Sequence, residues 1–183
     1  MLTVPEAVAA LRAGAVIAYP TEAVYGLGCD PACQPAVQHV LEIKQRPASA
    51  GLILIADSFD RLAPFTAPVD AHLLERAQRT WPGPVTWLFP RAAHVADWLA
   101  GQHPTIALRV SAHPLCRQLC AAFAGPLVST SANIFSMPPA RTAAEVEACF
   151  AGTIAGVVEG ELGLQHRPSE IRDLATGRTV RPG

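Results

Sequence analysis

Val16-Ile-Ala-Tyr-Pro-Thr-Glu-Ala-Val-Tyr-Gly-Leu-Gly-Cys-Asp30 is the stretch whose reading decides the fold. It opens as an apolar run ending at Tyr19, which predicts a buried strand. Pro20 has no N–H to donate, so the ladder is expected to stop there. Thr21, Glu22 and Tyr25 follow, then Gly26 and Gly28. Two glycines one residue apart let the backbone turn sharply or let a ligand come close. A hydroxyl, a carboxylate and bare N–H groups after a buried strand suit a small-molecule site. A strand, turn and loop with no ligand fits this stretch, taken alone, equally well.

Outward from that strand, helices and strands alternate. Thr3-Val-Pro-Glu6 is a capping box with proline in the first turn, predicting a helix to about Ala13. Pro35–Lys44 reads as a second helix, ending against Pro47. Leu52–Ala56 is an apolar strand. Asp70 caps a helix to about Thr80, and Trp81-Pro-Gly-Pro84 breaks it before a strand at Val85–Phe89. Ala93–Leu99 reads as a helical turn or two, Thr105–Val110 as a strand, Pro114–Ala124 as a helix and Leu127–Thr130 as a strand. Thr142-Ala-Ala-Glu145 is a second capping box, opening a helix to about Phe150. Thr153–Glu159, Ser169–Asp173 and Thr179–Arg181 read as closing strands. The alternation predicts one α/β domain over residues 1–183. Long helical crossovers mixed with short turns predict a twisted mixed sheet rather than an all-parallel one.

Half of the 183 residues are hydrophobic and 16% are charged, which excludes a disordered chain. No apolar run approaches the ~20 residues that span a bilayer. The first residues carry Glu6 and no basic region ahead of an apolar one, so they do not read as a signal peptide, and a cytoplasmic location is expected. A net charge of −1 argues against bulk electrostatic binding to nucleic acid. The five cysteines are expected to be free thiols. Cys29/Cys33 and Cys116/Cys120 have a spacing zinc could use. The stronger reading puts Cys116, Cys120 and Cys149 on apolar helix faces. Arginine supplies thirteen of the fourteen Lys and Arg cations, so Lys44 is the only lysine. That raises the question of what a compact ammonium does there that a planar guanidinium would not.

Five further stretches could carry chemistry. Lys44-Gln-Arg46-Pro puts two cations one residue apart where a helix runs out; a point charge and a flat fork together suit a polyphosphate. Cations complementing a helix C-terminus are the plainer reading. Trp81-Pro-Gly-Pro-Val-Thr86 is a stiff corner delivering a hydroxyl to a strand start. Arg109, inside an apolar strand, must reach solvent or an anion; His113, which follows it, is given no catalytic role. Ser129-Thr-Ser-Ala-Asn133 clusters hydrogen-bonding groups after an apolar strand, where ligands of open α/β sheets gather. Arg167-Pro-Ser-Glu-Ile-Arg-Asp173 reads as a strand with one face on a polar cleft. Walker A, dinucleotide-binding, HExxH and nucleophile-elbow motifs are missing from the sequence. Scattered cations and neutral hydrogen-bonders fit positioning and charge neutralisation better than a protein nucleophile.

Taken in order, YPTEAVYGLG, KQRP, GLILIA, WPGPVT, ALRVSAHP, STSAN and RPSEIRD resemble the YrdC/Sua5 family over nearly the whole chain. The length is similar to that family's single-domain bacterial form rather than the longer form with an extra C-terminal domain. The resemblance implies a YrdC-like α/β domain with a large concave cleft. It also implies a reaction that takes L-threonine, bicarbonate and ATP, with Mg²⁺, to L-threonylcarbamoyladenylate and pyrophosphate. The product would feed the threonylcarbamoyl modification of tRNA, with hand-off to the other bacterial proteins of that modification and tRNA itself as a further partner. By the same resemblance, Lys44 and Arg46 are the catalytic, phosphate-holding pair. Arg109, Asn133 and Thr86 join them at the nucleotide, and Thr21, Ser131 and Ser169 touch threonine; no metal-ligating residue is implied.

Two departures from the family pattern stand out. Many relatives follow the S-x-N motif with Ser-Gly, whereas this chain has Ile134-Phe135-Ser136. Many also carry a lysine where Ala50 precedes the GLI strand. An RNA-binding module without turnover is the alternative reading; the net charge and the lack of aromatics among basic runs weigh against it. Carbamoyl adenylation, as in the related domain of hydrogenase-maturation proteins, would call for acylphosphatase-like and zinc-finger regions that the chain is too short to hold.

Overall fold

Residues 17–28 fold back on themselves. In the computed structural model, which describes residues 1–165 and 167–183, β1 (Ile17–Pro20) and β2 (Tyr25–Gly28) form an antiparallel hairpin. Pro20 is the last residue of β1, opposite Tyr25, so the ladder does stop there. The Gly-Leu-Gly segment, expected to be a turn or loop, is instead a fully buried strand. Its glycines answer to packing: a Cβ on Gly28 would stand 2.6 Å from both the Tyr19 ring and the Val128 carbonyl oxygen. The turn between the strands is closed by Thr21, whose N–H and hydroxyl both donate to the Val24 carbonyl, at 3.1 and 2.7 Å.

The remaining strands are β3 (Ile53–Ala56), β4 (Val85–Pro90), β5 (Thr105–Val110), β6 (Leu127–Ser131), β7 (Glu170–Asp173) and β8 (Thr179–Arg181). With the hairpin they make one eight-stranded sheet in the order β1-β2-β6-β3-β5-β4-β7-β8. β3–β5 and β4–β7 are parallel and the other neighbours antiparallel, so the sheet is mixed, as expected. The helices are α1 (Val4–Arg12), α2 (Gln34–Ile43), α3 (Ala71–Gln78), α4 (Asp97–Ala100), α5 (Pro114–Phe123) and α6 (Ala143–Phe150). Thr142 and Glu145 make the reciprocal capping bonds at the start of α6. No described helix is long and apolar enough to cross a membrane.

Side chains alternate along each strand, so the sheet feeds two cores. Ala18, Leu27, Leu54, Ala56, Leu108 and Val128 pack with residues of α2, α3, α4 and α6. Ile17, Tyr19, Ile55 and Leu127 point the other way and pack against Ala7 and Leu11 of α1 and Cys116, Leu119 and Cys120 of α5. Helices α1 and α5 cover only part of this second face. Beyond them a row runs across four strands: Ser129 pairs with Ile53, Ile53 with Ala107 and Ala107 with Leu88. That row lies bare of helix and becomes the floor of a cavity.

Three local expectations differ. Residues 153–159 make two isolated bridges, Leu2 with Val158 and Ala18 with Val157, instead of a strand; Gly156, at φ 155°, breaks the extended run. The expected turns at Ala93–Leu99 shrink to the single turn of α4. Cys116 and Cys120 are buried as expected, but Cys149 is exposed. Val146 and Phe150, four apart, are the inward residues of α6, and Cys149 falls outside their stripe.

Candidate functional site

A cavity of about 530 Å³ opens over the bare row of the sheet. Its walls are the hairpin turn (Thr21–Gly26), the link from α2 into β3 (Arg46, Ala50, Gly51), β5, β6, and the C-terminal residues Arg167–Ser169 and Val180–Pro182. Segments distant in sequence meet here because the sheet order interleaves them. Residues 163–165 cross over the hairpin turn, where the Gly163 and Gln165 N–H groups donate to the Thr21 and Glu22 carbonyls, both at 2.9 Å.

Lys44 and Arg46 diverge at the end of α2. Gln45 adopts φ 51°, a left-handed residue that reverses the chain. The N–H of Gln45 returns to Glu42 O and that of Arg46 to Leu41 O, each at 2.9 Å. This is a Schellman motif with glutamine where glycine is usual. It throws Arg46 out to the cavity wall and leaves Lys44 inside. Arg46 Nη2 donates to the carbonyls of Ala50 (3.3 Å) and Gly51 (3.0 Å), and its guanidinium lies 6.0 Å from the centre of the Phe135 ring. Its Nε–H has no acceptor among the described residues.

Lys44 is 1% exposed and does not line the cavity. Its ammonium donates to Ser131 O, to Asn133 O at 2.8 Å and to Asn133 Oδ1 at 3.3 Å. Burial, and after it the nearby Arg46 charge, lowers its pKa to about 8. Asn133 is equally occupied. Its Oδ1 also accepts from Ser131 Oγ at 2.5 Å, and its Nδ2 donates to Ile134 O (2.9 Å) and Met137 O (2.6 Å). Of the S-x-N motif, Ser131 lines the cavity and Asn133 stands behind it. The departure Ile134-Phe135-Ser136 is accommodated by a turn in which Met137 N–H donates to Ile134 O (2.9 Å) and Ser136 takes φ 70°.

Arg109 projects from β5 into the cavity wall and is 6% exposed. Its Nη1 pairs with Glu22 Oε2 at 2.9 Å; Glu22 Oε1 accepts from Ser111 Oγ (2.7 Å) and the Ala112 N–H (3.2 Å). Burial alone would raise the Glu22 pKa, but the Arg109 charge and the Ser111 hydrogen bond outweigh it and hold the carboxyl below its ordinary value. Arg109 Nε–H has no acceptor among the described residues. Thr86 is fully buried and outside the lining; it donates to Ser169 Oγ at 3.3 Å and so steadies a residue that does line it. Thr21, Ser131 and Ser169, the three residues expected at threonine, all line the cavity.

The sequence reading missed Arg181. It rims the cavity from the exposed strand β8 and donates to Ser169 O at 2.9 Å. It stands in a short polar tail, and only the pairing of β8 on β7 brings it in. Four arginines (46, 109, 167 and 181) thus line the cavity against one carboxylate, Glu22, among the described residues. With two of their Nε–H groups lacking an acceptor among the described residues, their charge and free donors suit an anion.

The family model Sua5/YciO/YrdC, described as "Telomere recombination", matches residues 9–183. The chain belongs to this family. It is similar to the threonylcarbamoyl-AMP synthase of Chromohalobacter salexigens, at 52% identity over 97% of this chain and 96% of that protein. It is also similar to that of Coxiella burnetii, at 50% identity over 98% and 96%. Among solved structures, P. abyssi Sua5 complexed with L-threonine superposes with a TM-score of 0.88 at 32% identity, covering 94% of this chain. The chain spans about half of that longer protein, 51% of its length.

Proposed function

We propose that this protein is a threonylcarbamoyl-AMP synthase, a nucleotidyltransferase that condenses L-threonine, bicarbonate and ATP to L-threonylcarbamoyladenylate and pyrophosphate. What carries this reading is the near-full-length match, at about half identity, to relatives bearing that name. The arginine-lined cavity supplies physical support.

The carbamate of threonine is short-lived in water, so a site that uses it must hold it enclosed beside the α-phosphate. A carbamate oxygen attacks the α-phosphorus; a P–O bond forms to the carbamate, the bond to the bridging oxygen breaks, and pyrophosphate leaves with the electron pair. The nucleophile is already an anion, so the step needs no general base. It needs charge neutralised and partners aligned, which Arg46 and Arg181 at the triphosphate and Arg109 deeper in the wall supply. Thr21, Ser131 and Ser169 offer hydroxyls to the threonine end. Mg²⁺ enters as the ATP complex. Glu22 is the one carboxylate lining the cavity among the described residues, and both its oxygens are engaged, so the ion would be held by phosphates and water rather than by this side chain. The product serves tRNA threonylcarbamoylation in the cytoplasm, handed to the other proteins of that modification.

The test is to supply labelled bicarbonate and ATP with each amino acid in turn. Threonine is expected to give an acyl-adenylate and stoichiometric pyrophosphate. Absence of the adenylate with every amino acid would overturn the proposal.

A further inference from the structure

We infer that Lys44 is a positioning residue: its ammonium is an internal strut holding the turn after β6, and it does not touch the nucleotide. The inference rests on the adenylation reading only for its consequence in turnover; the placement of the side chain stands without it.

An ammonium has three N–H donors and no more. Those of Lys44 meet three oxygens of one turn, Ser131 O, Asn133 O and Asn133 Oδ1. Nothing remains to donate to a phosphate, and the side chain is sealed from the cavity. The backbone of the same residue adds a fourth tie, its carbonyl accepting from the Phe135 N–H at 2.7 Å. One residue therefore stitches positions 131, 133 and 135 to the end of α2. Ser131 is the member of that turn facing the cavity, so the strut fixes where its hydroxyl points. This also answers why a chain rich in arginine keeps one lysine. Three donors splayed from a single small centre fit inside a ring of carbonyls, whereas a planar five-donor fork does not. The phosphate-binding cations are then guanidiniums alone.

Because Lys44 is the sole lysine, amine chemistry reads it without interference. The full chain is treated with an acetylating reagent at neutral pH, and the Lys44 peptide is compared with the α-amine of Met1, an exposed residue. Lys44 is expected to react at least about ten-fold more slowly than that amine, with no change when ATP is added. Ready labelling that ATP suppresses would overturn the inference. Variants give the second arm. Lys44→Met and Lys44→Arg are both expected to lose roughly 100-fold in kcat/KM, with the KM values for ATP and threonine rising together. Near-normal turnover in Lys44→Arg, or a defect confined to the KM for ATP, would mark a phosphate contact instead. Labelling of the unmodified chain does not depend on variant folding or on any activity, so failure of the strut and failure of the adenylation reading are told apart.

Discussion

Replacing Glu22 by glutamine tests how the cavity wall is held together. Glu22 and Arg109 are 7% and 6% exposed, and their charges meet at 2.9 Å. The carboxylate is acceptor on every side: Arg109 Nη1 donates to one oxygen, and the Ser111 hydroxyl and Ala112 N–H to the other. A glutamine has one oxygen and one NH₂. Whichever way it turns, an N–H faces another N–H or the guanidinium, and Arg109 is left as a buried, uncompensated charge. Breaking such a pair costs about 3–5 kcal/mol. That is a large share of the roughly 5–15 kcal/mol by which domains are stable. With a urea m-value of about 2–3 kcal/mol/M, the unfolding midpoint should drop by roughly 1–2 M. The assay is equilibrium urea unfolding at pH 7. The double variant Glu22→Leu/Arg109→Leu, which removes both charges, should recover most of the loss. The defect must also be pH-dependent. The Glu22 pKa lies below its ordinary value of 4.5 when folded, so its contribution is full above that value and drains away as pH falls through the folded pKa. The gap between wild type and Glu22→Gln should therefore narrow in acid. A loss under about 1 kcal/mol at pH 7, the cost of an exposed pair, would refute the argument.

Further expectations follow from other parts of the site. Arg46→Ala and Arg181→Ala should each raise the KM for ATP at least about ten-fold while leaving the melting temperature close to wild type, as measured by steady-state kinetics and calorimetry. Phe135→Ala removes the ring beside the Arg46 guanidinium and should raise the KM for ATP about two- to five-fold, with Phe135→Trp restoring it. Gln45→Gly relieves a left-handed residue and should stabilise the chain by about 0.5–1 kcal/mol, whereas Gln45→Val should destabilise it, both read from thermal melts. The single lysine ¹⁵Nζ resonance should titrate near pH 8. Since the folded pKa is below the unfolded one, the folded chain loses that proton first, and this residue's contribution to stability rises between about pH 8 and 10.5.

What could be read in the sequence was what neighbouring residues decide. Thr3 with Glu6 and Thr142 with Glu145 announced two helices to within a residue, and the apolar runs at β3, β5 and β6 announced strands. β2 was obscured because its glycines signal flexibility to a local reading, whereas Gly28 is imposed by Tyr19 and Val128 from other strands. Thr21, Arg46, Ser131 and Ser169 were singled out and do share one cavity. Which of two adjacent motif cations faces that cavity was not legible. The answer turns on the left-handed Gln45, and nothing local requires glutamine to adopt that conformation. Arg181 was invisible for a related reason: its partners are distant, and only the β7–β8 pairing supplies them.

The bare row of Ser129, Ile53, Ala107 and Leu88 has a consequence for how such a pocket can change. Ile53, Ala107 and Leu88 each sit between sequence neighbours that point into the opposite core, as Ala107 does between Ile106 and Leu108. Enlarging or trimming a floor residue alters the volume open to an amino-acid side chain while the helices on the far side keep their contacts. Substrate choice and structural integrity are thereby written on alternate letters of the same strands, and one can drift while the other is kept.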